Sequence, residues 1–251
     1  MNFFAKLIFI LLTLFFGSFA SAAEFPTKPI RLIVPFPPGG AVDALGRLVG
    51  TKASEILGQP FLVDNRAGAA GSIGSEIVAK STPDGYTLLM GSTSSLSVIP
   101  NLQRVPYDPI KDFTPVSLVA YIPHVLVINN DVPAKTLQQF IAYAKSNPGK
   151  LSYASSGNGT PHQIAVEMFK KMTGVFIVHI PYKGTAPGLT DLMSGQVAVM
   201  SVELSTALPY IKAQKIRPLA ILAPNRSNFA PDIPTATQAG LPGLDITSWY
   251  G

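Results

Sequence analysis

Short apolar runs alternate along this chain with segments whose apolar residues recur at helical spacing, and a Gly- or Pro-rich loop separates most of them. Ile30–Val34 reads as a buried strand that ends at Pro35–Gly40. Leu45, Leu48, Val49, Ala53, Ile56 and Leu57 then mark a helix, which Gly58 stops as a left-handed terminal glycine. Phe61–Val63 and Tyr86–Met90 are further strands, joined by a helix carrying Ile73, Ile77 and Val78 and by the turn Pro83–Gly85. The apolar stretch Val116–Ile128, broken by Pro123, is long for one strand and predicts two, or one crossing between domains. The rhythm then restarts. Thr136–Gln139 reads as a capping box before a helix that buries Leu137, Phe140, Ile141 and Ala144. After the turn Asn147–Gly149 and the strand Leu151–Ala154, Thr160–Gln163 reads as a second capping box with Pro161 at the first helical position. Ile164, Ala165, Met168, Phe169 and Met172 carry that helix to Gly174. Strands at Phe176–Ile180, Val197–Met200 and Ile216–Ala223 alternate with helices at Thr185–Met193 and Leu204–Ala213. Such alternation implies parallel sheets with right-handed crossovers, and the restart near 124 implies two α/β lobes.

Composition removes several alternatives. Hydrophobic residues make up 47% and charged residues 13%, enough for a substantial core. The net charge of +5 comes from scattered single Lys and Arg, so no nucleic-acid stripe is expected. Without cysteine there is no disulfide, thiolate nucleophile or Cys-based zinc site. Lys6, the apolar run Leu7–Phe19 and the motif Ala20-Ser21-Ala22 form a secretory signal peptide over residues 1–22, whose apolar run is shorter than the ~20 residues of a membrane span. The mature chain is expected to begin near Ala23 and to be exported. The segment Leu244–Gly251 stops just after a strand-like run, which suggests a product truncated at its C-terminus.

Five loops share one design: Pro35–Gly40, Arg66–Ser72, Gly91–Ser95, Ser155–Thr160 and Tyr182–Ala186. Each follows a strand, and most combine Gly with Ser or Thr before a helix. At the carboxyl edge of an open α/β sheet such loops meet ligands, and a helix N-terminus presents unpaired N–H donors to a carboxylate or phosphate. Any single loop is as readily a plain turn as a ligand cradle; several in both lobes favour the cradle. Catalytic motifs do not appear. Gly68, Gly71 and Gly74 form neither a dinucleotide fingerprint nor a P-loop, and no G-x-S-x-G elbow or Ser-x-x-Lys occurs. His124, His162 and His179 lack metal-ligand spacing. His179 reads as a packed strand residue. His162, in a first helical turn, reads as a neutral imidazole donating one hydrogen bond, with or without ligand contact. Asp43 either complements the helix dipole, or anchors the loop or takes a ligand ammonium. Glu203 either accepts from a ligand donor or is solvated. Trp249 and Tyr250 are core or pocket wall. No catalytic residue, metal or cofactor is expected.

One ordered series carries a resemblance: Lys28–Phe36, Gly39–Asp43, Gly58–Pro60, Val63–Gly71, Pro83–Tyr86, Tyr107–Val116, Tyr153–His162, Tyr182–Pro187 and Ser248–Gly251. It resembles the Bug (Bordetella uptake gene) family, the TctC-like solute receptors of tripartite tricarboxylate transporters. The resemblance implies a two-lobed periplasmic binding protein of the type II, Venus-flytrap kind. Each lobe would be a mainly parallel sheet flanked by helices, with residues 23–123 and 222–251 in lobe 1 and 124–221 in lobe 2. It implies closure on a small carboxylate by hinge motion near Val119–His124 and Ile216–Ala223. The implied ligand-contacting residues are Phe36, Gly39, Gly40 and Asp43; Gly68, Ala69, Ala70 and Gly71; Ser92 and Thr93; Ser155, Ser156, Gly157, Gly159, Thr160 and His162; Tyr182, Gly184, Thr185 and Ala186; and Glu203. Glu203 stands where many relatives carry Asp, Gln163 where a second His is frequent, and relatives continue past Trp249–Gly251 with helices that finish lobe 1.

The implied function is capture of a di- or tricarboxylate, an amino-acid-like acid or an aromatic acid by a monomer that delivers it to transporter membrane subunits. Two alternatives stand beside it: a ligand sensor for a membrane kinase, and a secreted small-acid hydrolase, which would need a nucleophile and base in contact.

Overall fold

The computed structural model describes residues 25–251, so the leader expected over 1–22 and the start near Ala23 lie outside the described residues. Apolar residues buried on both faces put β1 (Ile30–Val34) at the centre of a three-stranded sheet. Its order is β2-β1-β3, with β2 at Phe61–Asn65 and β3 at Thr87–Leu89, both parallel to β1. The crossover helices are α1 (Ala41–Leu57) and α2 (Ser72–Ala79). Gly58 ends α1 in the left-handed region at φ 67°, as read from the sequence. The apolar period that marks α1 only partly coincides with its buried face: Leu45 and Val49 pack against the first-lobe core. The helix lies on the sheet through Ala41, Val42, Gly46 and Gly50, close enough that a Cβ at Gly46 would sit 2.7 Å from Val34 Cγ2. Leu48 and Ile56 face outward, 60% and 80% exposed.

After a π-helical turn (Thr93–Val98) and the short α3 (Ile99–Leu102), the chain crosses in one strand, β4 (Ala120–Ile128). Ala120–Pro123 pairs antiparallel with β9 (Thr247–Tyr250), whereas His124–Ile128 pairs with β7 (Val199–Glu203) and β8 (Arg217–Leu222). The long apolar stretch is thus one strand shared by two sheets, and Pro123 falls where it passes between them.

The second sheet runs β6-β5-β7-β4-β8, with β5 at Ser152–Ser155, β6 at Val178–Pro181, β7 at Val199–Glu203 and β8 at Arg217–Leu222. β5 is parallel to β6 and β7, but β4 runs antiparallel to β7, β8 and β9, because it enters from the other lobe. Helices α4 (Leu137–Ser146), α5 (Pro161–Thr173), α6 (Thr185–Met193) and α7 (Leu204–Lys212) accompany this sheet. One core layer holds Leu126, Phe140, Phe169 and Ile177, the other Leu189, Leu192, Met200, Val202 and Ile221.

Three expectations are corrected. At α4, Thr136 caps Gln139 N–H at 3.2 Å, but Gln139 Oε1 reaches back to Lys135 N–H rather than to Thr136. At α5 neither half of the box closes: the Thr160 hydroxyl donates to Gly157 O, and Gln163 Oε1 takes Gly159 N–H. Residues from 222 do not return directly to lobe 1. Ile221 N–H donates to Pro234 O and Ala236 N–H to Ile221 O, while Ala236 and Leu244 are buried in the second-lobe core. The crossing back lies at Ile246–Thr247, not within Ile216–Ala223.

Candidate functional site

The carboxyl ends of both sheets face one cavity of about 420 Å³ including its mouth. From the first lobe come Phe36, Pro37, Gly40, Ala41 and Val42, with Ser92, Thr93 and Ser94. From the second come Ser156, Thr160, Pro161, His162, Gly184 and Thr185. Glu203, Ser248 and Tyr250 complete the lining. Gly40, Thr160 and Gly184 are the N-cap residues of α1, α5 and α6, and none makes a side-chain cap bond. Leading N–H groups of a helix have no intrahelical acceptor and carry partial positive charge. Three such termini therefore meet at one cavity whose lining contains no Lys or Arg. Gly184 is at φ 105°, and a Cβ there would lie 2.7 Å from Pro37 Cγ on the opposite lobe, so glycine permits the close approach of the two walls.

A buried polar chain joins the lobes. Ser156 Oγ is 2.7 Å from His162 Nδ1, and His162 Nε2 is 3.0 Å from Glu203 Oε2. The Tyr250 hydroxyl, from β9 of the first lobe, donates to Glu203 Oε1 at 2.7 Å. The His124 ring lies 5.1 Å from that of His162 and bonds Ser201 Oγ at 3.0 Å and Ser248 Oγ at 2.9 Å. Burial works to raise the Glu203 carboxyl, yet His162, His124 and the Tyr250 hydroxyl outweigh it and hold the group well below the ordinary carboxylate range. Burial pushes His124 down to about 3, with Glu203 opposing and His162 assisting. Tyr250 is pushed up by burial and then by Glu203. Of the two readings of Glu203, the solvated one fails: the residue is 4% exposed and both oxygens are engaged.

Of the residues expected to contact ligand, Phe36, Gly40, Ser92, Thr93, Ser156, Thr160, His162, Gly184, Thr185 and Glu203 line the cavity. The others stand behind it. Asp43 accepts from Gly39 N–H (3.2 Å), Asn65 Nδ2 (2.9 Å) and Arg47 Nε (3.1 Å), so its role is anchoring the loop. Burial acts to raise its carboxyl, but these donors lower it overall. In the Gly68, Ala69, Ala70, Gly71 loop, Ala70 O accepts from Ser94 Oγ at 3.0 Å, and a Cβ at Gly71 would lie 2.9 Å from Ser95 Cβ. That loop supports the serine turn rather than the ligand space. Ser155 and Gly157 bond each other. Gly159 packs on Ile99 of the opposite lobe, and Ala186 lies beside Gly39. The Tyr182 hydroxyl donates to Asp191 at 2.6 Å; burial and then that carboxylate push the phenol up to about 12. His179, on edge strand β6, is hydrogen-bonded as expected but only half-buried.

The sequence reading named no ligand role for Ala41, Val42, Pro161 or Ser248, had Pro37 and Ser94 only as members of loops expected to meet ligand, and left Tyr250 between core and wall. Ala41, Val42 and Pro161 could have been found as the first helical residues after a recognised loop. Ser248 and Tyr250 reach the cavity only through the pairing of β9 with β4. Among the described residues no group of His, Asp and Glu is arranged to hold a metal ion.

Residues 45–251 match the model of the tripartite tricarboxylate transporter family receptor. The chain is 40% identical over 235 residues to protein BugT of Bordetella pertussis, covering 92% of this chain and 71% of that protein. The chain belongs to this receptor family. It is also 42% identical to a UPF0065 protein from the tcbD-tcbE intergenic region of a Pseudomonas species, over 90% of this chain and 68% of that one. Among solved receptors it is similar to Rpa4515 of R. palustris with adipate, at TM-score 0.88 and 38% identity over 90% of this chain and 76% of that one. It is likewise similar to MatC of Rhodopseudomonas palustris with bound malate, at TM-score 0.85 and 34% identity, over 90% and 78%. The periplasmic binding protein BugD matches at TM-score 0.86 and 32% identity over 90% and 76%. The two-lobed architecture of these binding proteins is the architecture seen here.

Proposed function

We propose that this receptor closes in the periplasm on a small carboxylate, of the size of malate or adipate, and passes it unchanged to the membrane subunits of a tripartite tricarboxylate transporter. The observation that carries this reading is the convergence of three helix N-termini without side-chain caps on one cavity without a Lys or Arg. Neutral amide donors in a closed, water-poor cleft bind an anion well because the low local dielectric strengthens each hydrogen bond. The hydroxyls of Ser92, Thr93, Ser156 and Thr185 supply donors for the rest of the ligand. Receptors of this family solved with adipate and with malate support the ligand class.

A hydrolase needs a nucleophile and base in contact, and Ser156 with His162 meets that distance. Both residues also belong to the chain that ends on Tyr250, which ties the lobes; we therefore assign it to closure. The test is a thermal-shift series of small carboxylates on the purified protein, followed by recovery of the ligand. A bound acid at 100 times its Kd adds about 2.7 kcal/mol of stability and returns intact. No shift with any acid, or conversion of one to product, overturns the reading.

A further inference from the structure

Gln163 follows the pocket-lining His162 but is not itself a lining residue. Both ends of its amide are nevertheless engaged. Gly159 N–H donates to Gln163 Oε1 at 2.7 Å, and Gln163 Nε2 lies 3.4 Å from His179 Nδ1. On the far side of the ring, His179 Nε2 is 2.7 Å from Ser155 Oγ. Ser155 donates to Gly157 O at 3.1 Å and accepts from Gly157 N–H at 3.2 Å.

A backbone N–H only donates, so the Gln163 oxygen faces Gly159 and its NH2 faces His179. Nδ1 must then accept, which leaves the ring proton on Nε2. That proton goes to Ser155, whose own goes on to Gly157 O. The chain begins and ends in the loop Ser155–Thr160, of which Ser156 and Thr160 line the cavity.

We infer that Gln163 and His179 are positioning residues that hold the loop Ser155–Thr160 in its ligand-binding shape only while His179 is neutral, so that acid weakens binding through a ring outside the cavity. The inference rests on the receptor reading, since that reading gives the loop its role. A proton added at Nδ1 sets two donors against each other. Turning the Gln163 amide to relieve this would place its NH2 against Gly159 N–H. Relief of the clash by that turn therefore costs the Gly159 donor its partner. The charged and titratable groups around the ring are Glu167 and Lys170 of α5 and Tyr153 of β5; β6 pairs with β5 alone. Tyr153 stacks on the imidazole at 4.6 Å, and its hydroxyl and Lys170 Nζ both donate to Glu167 Oε1. Burial lowers the His179 pKa, Glu167 opposes and Lys170 assists. A ring freed by a loosened loop titrates nearer its ordinary 6.5. The ordered loop is therefore fully favoured above that pH and is lost progressively below it.

The test measures hydrogen exchange of the Gly157 and Gly159 amides in the ligand-free protein from pH 7.5 to 5.5, normalised to intrinsic rates, together with Kd for malate and adipate. The protein is expected to lose Gly159 protection, and affinity in parallel, by roughly severalfold across that range. Gln163→Glu keeps an acceptor for Gly159 and offers its second oxygen to a protonated Nδ1, so its profile flattens or reverses. His179→Gln, without a titrating ring, is flat. A flat profile in the unaltered protein, or the same fall in both variants, overturns the inference. So does a ring ¹⁵N spectrum showing the Nδ1–H tautomer at pH 7.5, a readout that needs no variant to fold. If protection follows pH in the unaltered protein but no acid binds, the receptor reading fails and the brace stands. Flat protection with intact binding removes the brace alone.

Discussion

The two walls of the cleft each contain a buried carboxylate and use it differently. In the first lobe Asp43 stands behind the wall, with Arg47, Asn65 and Gly39 as donors, and what faces the ligand space is backbone and hydroxyl. In the second lobe Glu203 is part of the wall, and its partners are His162 and, across the lobes, Tyr250. All three histidines lie at or beyond 124. The first wall therefore contains no histidine, while the second contains His162 and the tie between lobes. On the proposed reading an anion needs no cation on either wall when amides converge, which leaves Glu203 and Tyr250 to tie the lobes.

The largest expected effect comes from cutting that tie. Glu203→Leu leaves His162 Nε2 and the Tyr250 hydroxyl buried without a partner. Calorimetric unfolding should show about 3–5 kcal/mol of lost stability. The matching change in the first lobe, Asp43→Ala, exposes its freed donors to solvent near Arg47 and should cost about 1–2 kcal/mol; equal losses would erase the contrast. Next comes wall contact. Gly184→Ala forces a side chain at φ 105° into Pro37, whereas Gly40→Ala meets Thr185 Oγ1 only at 3.4 Å. Titration calorimetry should find roughly 100-fold weaker binding for the first, about 3 kcal/mol. For the second it should find about tenfold or less.

A smaller effect is the acid response of the fold. His124 is held near 3 in the native state, against 6.5 ordinarily. Below 6.5 the unfolded chain takes up a proton that the native chain refuses, so stability falls with acid and is about 2 kcal/mol lower by pH 5. Glu203, depressed in the native state, adds a further loss below its ordinary 4.5. His124→Asn should flatten the curve between pH 6.5 and 4.5 in thermal melts. An unchanged slope would move the acid response away from the second wall. The smallest effect is expected at Arg31–Asp64, an ion pair of 2.6 Å on partly exposed side chains. Asp64→Asn should change stability by less than about 1 kcal/mol.

Much of this was legible in the sequence because local signals and tertiary demands agreed. Ile30–Val34 and Thr185–Met193 fold over the ranges that their apolar pattern marks, and Gly58 and Gly174 end their helices in the left-handed region. Loops that follow strands were found for the same reason. What each loop does was not legible. Gly68–Gly71 and Gly184–Ala186 share composition, yet the first props up Ser94 while the second offers Gly184 and Thr185 to the cavity. Only the placement of the neighbouring strand decides between them. Glycines 46 and 50 bring α1 closest to the sheet, and its apolar period is split, with Leu45 and Val49 on the core and Leu48 and Ile56 exposed. Thr160 had the pattern of a capping box, but Gly157 and Gly159 compete for the same side chains. Tyr250 required a pairing between strands far apart in the chain.

The central claim is that converging amides hold the acid. It is tested most directly by following backbone ¹⁵N–¹H resonances while malate or adipate is added to the purified protein. The account predicts saturable shifts at Ala41, Val42, Thr93 and Thr185, all moved together to higher ligand concentration by Gly184→Ala. Saturable binding that leaves those amides unmoved would contradict it.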